Sequence, residues 1–228
     1  MLSKRLQTIY DLVDENSNLA DIGADHGFLL IELAKNNKCN LLLGVENKKG
    51  PYEKLLNDIR INSLKNKIFT SFSDGLSKIS PEYKTIVIAG MGTDNIKKII
   101  KDSISSIDFI NTFIIDSHTK IEELRKFVVS LGFKISQEKI LKEDNIVYEI
   151  IRFDKGSATY SDIQYKFGPC LIKEKTNDFI NIYKERLMWL KNKRKNTSNP
   201  DFIRSLELDI KEIEAIIYEN QCFIKKIK

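Results

Sequence analysis

The chain has 228 residues, 42% of them apolar and 30% charged, with a formal net charge of +5. That balance is enough to bury a real core, excludes an intrinsically disordered chain, and leaves no window near the roughly 18 consecutive apolar residues of a membrane span. The opening "MLSKRLQTIYDLVDENS" lacks the apolar centre of a signal peptide, and Cys39, Cys170 and Cys222 show no CxxC spacing. A cytoplasmic protein with no membrane partner and no metal is expected.

In chain order, a short amphipathic helix, "KRLQTIYDLV", comes first. Five apolar runs follow, "NLADIG" (18–23), "NLLLGVE" (40–46), "KIFTSFS" (67–73), "KTIVIAG" (84–90) and "FINTFIID" (109–116). Helical patterns near 27–36, 51–63, 93–104 and 119–131 separate them. Strand and helix alternating at this spacing predict an α/β fold with a parallel sheet covered on both faces. Unbroken apolar runs such as "TIVIA" suit strands buried on both sides. Two further runs, "FKISQEKILK" and "NIVYEIIRF", flank "EDN" and predict an antiparallel terminal hairpin.

"DKGSATYSD" (154–162) reads as a linker, placing one domain at 1–155 and an extension at 156–228. The extension carries two amphipathic helical patterns, 170–196 and 200–221, joined by "TSNP". An antiparallel helical hairpin is expected, glued by Leu187, Leu190, Ile203, Leu206, Ile210 and Ile213. The first module holds 23 Lys and Arg against 22 Asp and Glu, the second 14 against 10. A net +4 on the shorter module suggests a polyanion partner, and Arg186, Lys191, Lys193, Arg194 and Lys195 form either a solvated basic tip or one that grips phosphates.

The chemistry concentrates at the strand ends. Asp21-Ile22-Gly23-Ala24-Asp25-His26-Gly27 has the outer glycines of a nucleotide loop, with an acid before the first glycine. Where a nucleotide loop places its middle glycine, this chain has Asp25 and then His26. Glu46 ends the second run, where a cofactor's ribose hydroxyls find an acceptor. Asp74-Gly75 follows the third, suited to an adenine amino group. Gly90-Met91-Gly92 follows the fourth and allows close approach of a substrate. Parallel strands present these ends together, so they form one crevice.

"ADIGADHG", "DGL" and "VIAGMG" in this order resemble the class I S-adenosylmethionine-dependent methyltransferases. With "LSKRL", "GP" at 50–51, "YEI" at 148–150 and "FGP" at 167–169, nearly the whole chain resembles the bacterial tRNA (adenine-22-N1)-methyltransferase family. The resemblance implies a Rossmann-like domain, a helical, coiled-coil-like extension that contacts tRNA, S-adenosyl-L-methionine as cofactor, and methylation of N1 of adenine 22. It assigns Gly23 and Gly27 to the methionine and ribose part of the cofactor, and Asp21, at the loop's start, counts among the cofactor-binding residues. Glu46 falls to the ribose diol, Asp74 and Gly75 to the adenine edge, and Gly90, Met91 and Gly92 to the transferring methyl. Arg5 would close the pocket.

Asp25 is expected to orient the target adenine and support its developing charge, with His26 as a hydrogen-bonding neighbour; the alternative is that Asp25 caps the following helix. Two departures from the family pattern stand out. Thr93 replaces a glycine, where it would serve as a helix cap, and the fifth run ends in Asp116-Ser117-His118 instead of Gln-Pro-Asn. A methyltransferase for a small molecule or protein, and a catalytically silent binder of cofactor or RNA, remain open alternatives. Oligomeric state is undetermined, with a monomer favoured.

Overall fold

The computed structural model describes residues 2–103 and 108–218. The last residue of the predicted 93–104 helix, the end of the 200–221 helix and Cys222 lie outside them. By contacts the chain divides into two compact units, Met1–Lys139 with Tyr148–Ala158, and Ile140–Val147 with Thr159–Lys228.

The first unit opens with α1 (Lys4–Leu12), whose N-terminus is capped by the Ser3 hydroxyl accepting from the Leu6 amide. Strand and helix then alternate through β1 (Ser17–Ile22), α2 (Phe28–Lys35), β2 (Cys39–Glu46), α3 (Lys49–Ile61) and β3 (Ile68–Phe72). They continue through β4 (Thr85–Ile88), α4 (Thr93–Lys101), β5 (Thr112–Ser117) and α5 (Ile121–Ser130), and the sheet closes with β6 (Phe133–Glu143) and β7 (Ile146–Lys155). The strand order is β3-β2-β1-β4-β5-β7-β6.

β1 pairs in parallel with both β2 and β4, and β5 pairs in parallel with β4 and antiparallel with β7. Ile86, Val87, Ile88, Phe113, Ile114 and Ile115 are fully buried, as expected of central strands covered on both faces. β6 and β7 join through Asp144 and Asn145, both at positive φ (49° and 63°), which is the backbone of a tight primed hairpin turn.

Order reverses between β1 and β4, because the chain leaves β3 at one edge and re-enters beside β1. At such a switch point the loops leaving neighbouring strands diverge and open a crevice at the carboxyl ends. Arg125 of α5 is fully buried and pairs with Glu138 of β6 (2.7 Å) and Glu149 of β7. Each carboxylate compensates a guanidinium that burial alone would penalise heavily.

The second unit departs from expectation at its start. The linker and the first predicted helix give two short helices, α6 (Asp162–Phe167) and α7 (Pro169–Glu174), before α8 (Asn177–Lys195). Ser161 and Gln164 form a reciprocal capping box that starts α6. Gly168 at φ 87° ends it and Pro169 starts α7. Lys175 turns left-handed at φ 45°, and the Thr176 hydroxyl caps α8 by accepting from the Phe179 amide.

α9 (Pro200–Tyr218) follows. Leu187, Leu190, Leu206 and Ile213 are buried in one cluster, with Ile210 packed against it. Ion pairs flank that seam, Lys191 with Glu214 at 2.6 Å and Arg194 with Glu207 at 2.9 Å.

Candidate active site

Ile22, at the end of β1, lies opposite Val45 of β2 and Ile88 of β4. The loops after all three strands therefore leave from one line. Gly23 turns at φ 77°, and the Gly23 and Ala24 amides donate to the Val45 carbonyl at 2.9 and 3.3 Å. A Cβ at Gly23 would come within 2.4 Å of the Met91 methyl, so Met91 would have to swing away, and at φ 77° a side chain would strain the backbone as well.

Asp25 takes the left-handed conformation at φ 47°, which Asp tolerates better than most residues. Its amide donates to Glu46 Oε1 at 2.6 Å. Glu46 is buried, and the bond leaves the Asp25 side chain exposed. The N-cap of α2 is Gly27 at φ 66°, with no side-chain cap. The helix-cap alternative for Asp25 therefore falls.

His26 does not share the setting of Asp25. Its Nδ1 lies 2.8 Å from the Asp58 carboxylate of α3, and its ring stacks on Phe28 with centroids 5.2 Å apart. Neither partner was legible in the sequence, since Asp58 is one polar residue on a helix and Phe28 reads as an ordinary apolar start to α2.

Two cavities open on the strand ends. The first, about 240 Å³, is lined by Val45, Glu46, Ser73, Asp74, Gly75 and Met91 among others. The second, about 280 Å³, is lined by Arg5, Leu6, Asp21, His26, Phe28 and Leu29. Both include Gly23, Asp25, Ala89 and Gly90, so they meet at the glycine loop and the end of β4. Asp74 Oδ1 accepts from the Asn47 side chain at 2.8 Å, which fixes that carboxylate at the rim of the first cavity.

Arg5, expected to close the pocket, donates to Asp116 Oδ2 at 2.5 Å. The Gly90 amide donates to the same oxygen at 3.3 Å. Asp116 Oδ1 is buried without a hydrogen-bond partner. Burial pushes the Asp116 carboxyl above its ordinary range, with Arg5 and the Gly90 amide opposing. Arg5 also lies over the Tyr148 ring, 5.3 Å from its centroid, and His118 meets the same ring edge-on at 6.0 Å.

Asp21 is buried at the end of β1. Burial and then the neighbouring Glu46 charge push its carboxyl up to about 7, with Arg5 pulling the other way. The site gathers the buried Asp21, Glu46 and Asp116 with Arg5 on Asp116 and Lys48 on the wall of the first cavity.

Thr93 is the first residue of α4 and not its cap, which is Gly92. Its buried hydroxyl donates to the Thr119 carbonyl at 2.5 Å and lies 3.2 Å from the Ser117 hydroxyl. The two departures from the family pattern thus contact each other, and together they tie the fourth and fifth loops.

Of the helical cations, Lys191 and Arg194 are engaged with glutamates of α9. Arg186, Lys193 and Lys195 are exposed. Lys193 lies over the Trp189 ring, 5.5 Å from its centroid, and Trp189 is itself 56% exposed. Among the described residues there is no group of His, Cys, Asp and Glu suited to a metal ion, and no helix long and apolar enough to cross a membrane.

A family model for a methyltransferase domain matches residues 2–151. The tRNA (adenine(22)-N(1))-methyltransferase of Bacillus subtilis is 28% identical over 193 residues, 82% of this chain and 81% of the relative. Sp1610 of Streptococcus pneumoniae, solved in complex with S-adenosyl-L-methionine, superposes with a TM-score of 0.87 at 27% identity. That match covers 96% of this chain and 100% of Sp1610. The M. capricolum protein TrmK, solved with the natural cofactor product S-adenosyl-homocysteine, gives 0.83 at 27% identity, covering 95% of this chain and 98% of its own.

The raised Asp21 carboxyl makes a pH prediction. Folded Asp21 keeps its proton to about pH 7, whereas an unfolded aspartate loses it near pH 4. The folded chain therefore binds the extra proton. This group's contribution to stability is fully present below about pH 4 and declines as pH rises towards 7. Asp21→Asn should flatten the fall in thermal midpoint across that window relative to the unsubstituted chain. Parallel curves for the two proteins would assign Asp21 an ordinary carboxylate.

Proposed function

The chain belongs to the methyltransferase domain family, and from that premise we propose that it transfers a methyl group from S-adenosyl-L-methionine to N1 of adenine 22 in tRNA. The observation that carries the reading is the meeting of two cavities at Gly23, Asp25 and Gly90. One has the carboxylates a nucleoside needs, and the other has room for the groups beyond it. Likeness to the Bacillus subtilis relative across four-fifths of both chains supports the substrate.

The residues present fit the cofactor. Glu46 spends Oε1 on the Asp25 amide, which leaves Oε2 for a ribose hydroxyl. Asp74, held by Asn47, accepts at the adenine edge beside Gly75. Gly23 and Gly90 keep the cavity wall free of side chains where the cofactor must approach, whereas Gly27, packed against Leu55, and Gly92, facing Thr119, line neither cavity. A cationic molecule bound beside Asp21 would favour the ionised form of that carboxyl, and Arg5 holds Asp116 in place. The cofactor supplies a methyl group on a positively charged sulfur.

Adenine N1 carries an available lone pair, so no base has to remove a proton before the attack. The protein's task is placement, together with support of the positive charge that develops on the ring. Asp25 suits both. It stands where the cavities meet, its backbone is held by Glu46, and its carboxylate is exposed to accept from the adenine amino group. Met91, lying over Gly23, flanks the methyl with an apolar and polarisable surface.

For the second unit we propose tRNA phosphate contact by Arg186, Lys193 and Lys195, with Trp189 on the flank of α8 that carries Arg186 and Lys193. Lys191 and Arg194 are paired across the seam, and in this reading they add field more than direct contact.

Labelled S-adenosyl-L-methionine and an unmodified tRNA transcript test the reaction directly. N1-methyladenosine in the digest, lost when adenine 22 is replaced, is the expected result. Label in another nucleoside would discard the adenine-22 assignment, and no label would discard the enzyme. For the RNA surface, changing Arg186, Lys193 and Lys195 together to Gln should flatten the slope of log affinity against log salt by about 2 units. Quenching of Trp189, the chain's one tryptophan, should report the binding. An unchanged slope would put the RNA elsewhere.

A further inference from the structure

Phe28 is 55% exposed at the first position of α2, on the wall of the second cavity. A single exposed apolar residue is ordinary on a protein surface. This one differs because its orientation is fixed. The His26 and Phe28 rings lie 5° from parallel with centroids 5.2 Å apart, a stacked pair. His26 is in turn held by Asp58 at 2.8 Å. Between the rings, Gly27 turns at φ 66° against Leu55, where an added Cβ would come within 2.6 Å of a Leu55 methyl carbon. The loop thus presents two rings two residues apart as one stack, anchored to α3 at its inner end and open at its outer end.

We propose that this Asp58–His26–Phe28 stack is a nucleobase platform, on which an unpaired base of the RNA substrate lies against the open face of Phe28. The proposal rests on the tRNA-methyltransferase reading above. A base is the occupant the chemistry favours. It has a flat face for Phe28 and a hydrogen-bonding edge for the polar wall, where Arg5 and Asp25 stand in the same cavity. An aliphatic side chain or a lipid tail could pack on the ring but would leave those polar groups unused.

Single-stranded RNA segments are commonly held by aromatic stacking of splayed bases. The occupant is a neighbour of the methylated adenine and not that adenine. Phe28 stands at the rim with more than half its surface open, whereas transfer has to take place where the cavities meet, at Gly23, Asp25 and Gly90. Phe28 and His26 are therefore positioning residues. They fix the RNA strand so that the next base reaches Asp25.

Base–aromatic stacking is worth roughly 1–3 kcal/mol per base by alanine substitution, so Phe28→Ala should weaken tRNA affinity by about 5- to 150-fold. KM for tRNA should rise correspondingly, while the Kd for S-adenosyl-L-methionine stays within twofold. Phe28→Tyr should restore most of the loss, because it keeps the ring. Asp58→Asn should give a smaller loss by loosening His26.

Each variant is compared with the unsubstituted chain for tRNA binding, cofactor binding and thermal midpoint. Unchanged tRNA affinity in Phe28→Ala, beside an unsubstituted chain that binds and methylates tRNA, would overturn the platform alone. A weakened cofactor Kd with unaltered tRNA KM would also overturn it, by assigning the ring to the cofactor's own pocket. If the unsubstituted chain neither binds nor methylates tRNA, the reading and the platform fall together.

Discussion

The backbone amide of Asp25 donates to the buried carboxylate of Glu46, and the arrangement of the strand-end crevice follows from that bond. A charge-assisted hydrogen bond of this kind contributes roughly 1.5–3 kcal/mol. Here it does so between the loop after β1 and the end of β2. It holds Asp25 in a left-handed conformation, turns its side chain outward and leaves one Glu46 oxygen for a ligand. The two amides on the Val45 carbonyl, the Gly27 amide on the Ala24 carbonyl and the His26–Asp58 contact fix the rest of the loop's path. A residue proposed to meet the substrate and a residue proposed to meet the cofactor are thereby set by one contact.

The same crevice gathers carboxyl groups. Asp21, Glu46 and Asp116 are all buried near it, and Arg5 is the cation paired to Asp116. Carboxylates are costly to bury, and their raised Asp21 and Asp116 carboxyls register that cost. A site tuned in this way favours a positively charged ligand and a reaction in which positive charge moves onto the substrate. Arg5 links the two roles, since it reaches from α1 across 111 residues of sequence to Asp116 and also lines the second cavity.

The strand–helix alternation was legible because parallel strands buried on both faces leave unbroken apolar runs. The hairpin turn was legible from Asp144 and Asn145. The strand-end residues could be gathered into one crevice by topology alone, and Gly23, Asp25, Glu46, Asp74, Gly90 and Met91 do line one cavity. What sequence could not supply was pairing at a distance. Nothing marks Asp58 as the partner of His26, Glu46 as the acceptor for the Asp25 amide, or Asp116 as the anchor of Arg5. Thr93 and Ser117 read as two separate departures, yet their hydroxyls are 3.2 Å apart. The break between α7 and α8 was missed because the apolar spacing continues through it. Thr176, a capping residue, was the available signal.

The account turns on Asp25, and steady-state kinetics of Asp25→Asn test it most directly. Asparagine tolerates the left-handed backbone and keeps the amide that donates to Glu46, so the substitution removes the carboxylate charge and little else. The expected result is a fall in kcat of about tenfold or more, with the Kd for S-adenosyl-L-methionine within twofold of the unsubstituted chain. A kcat close to the unsubstituted value would contradict the account and reduce Asp25 to a turn residue.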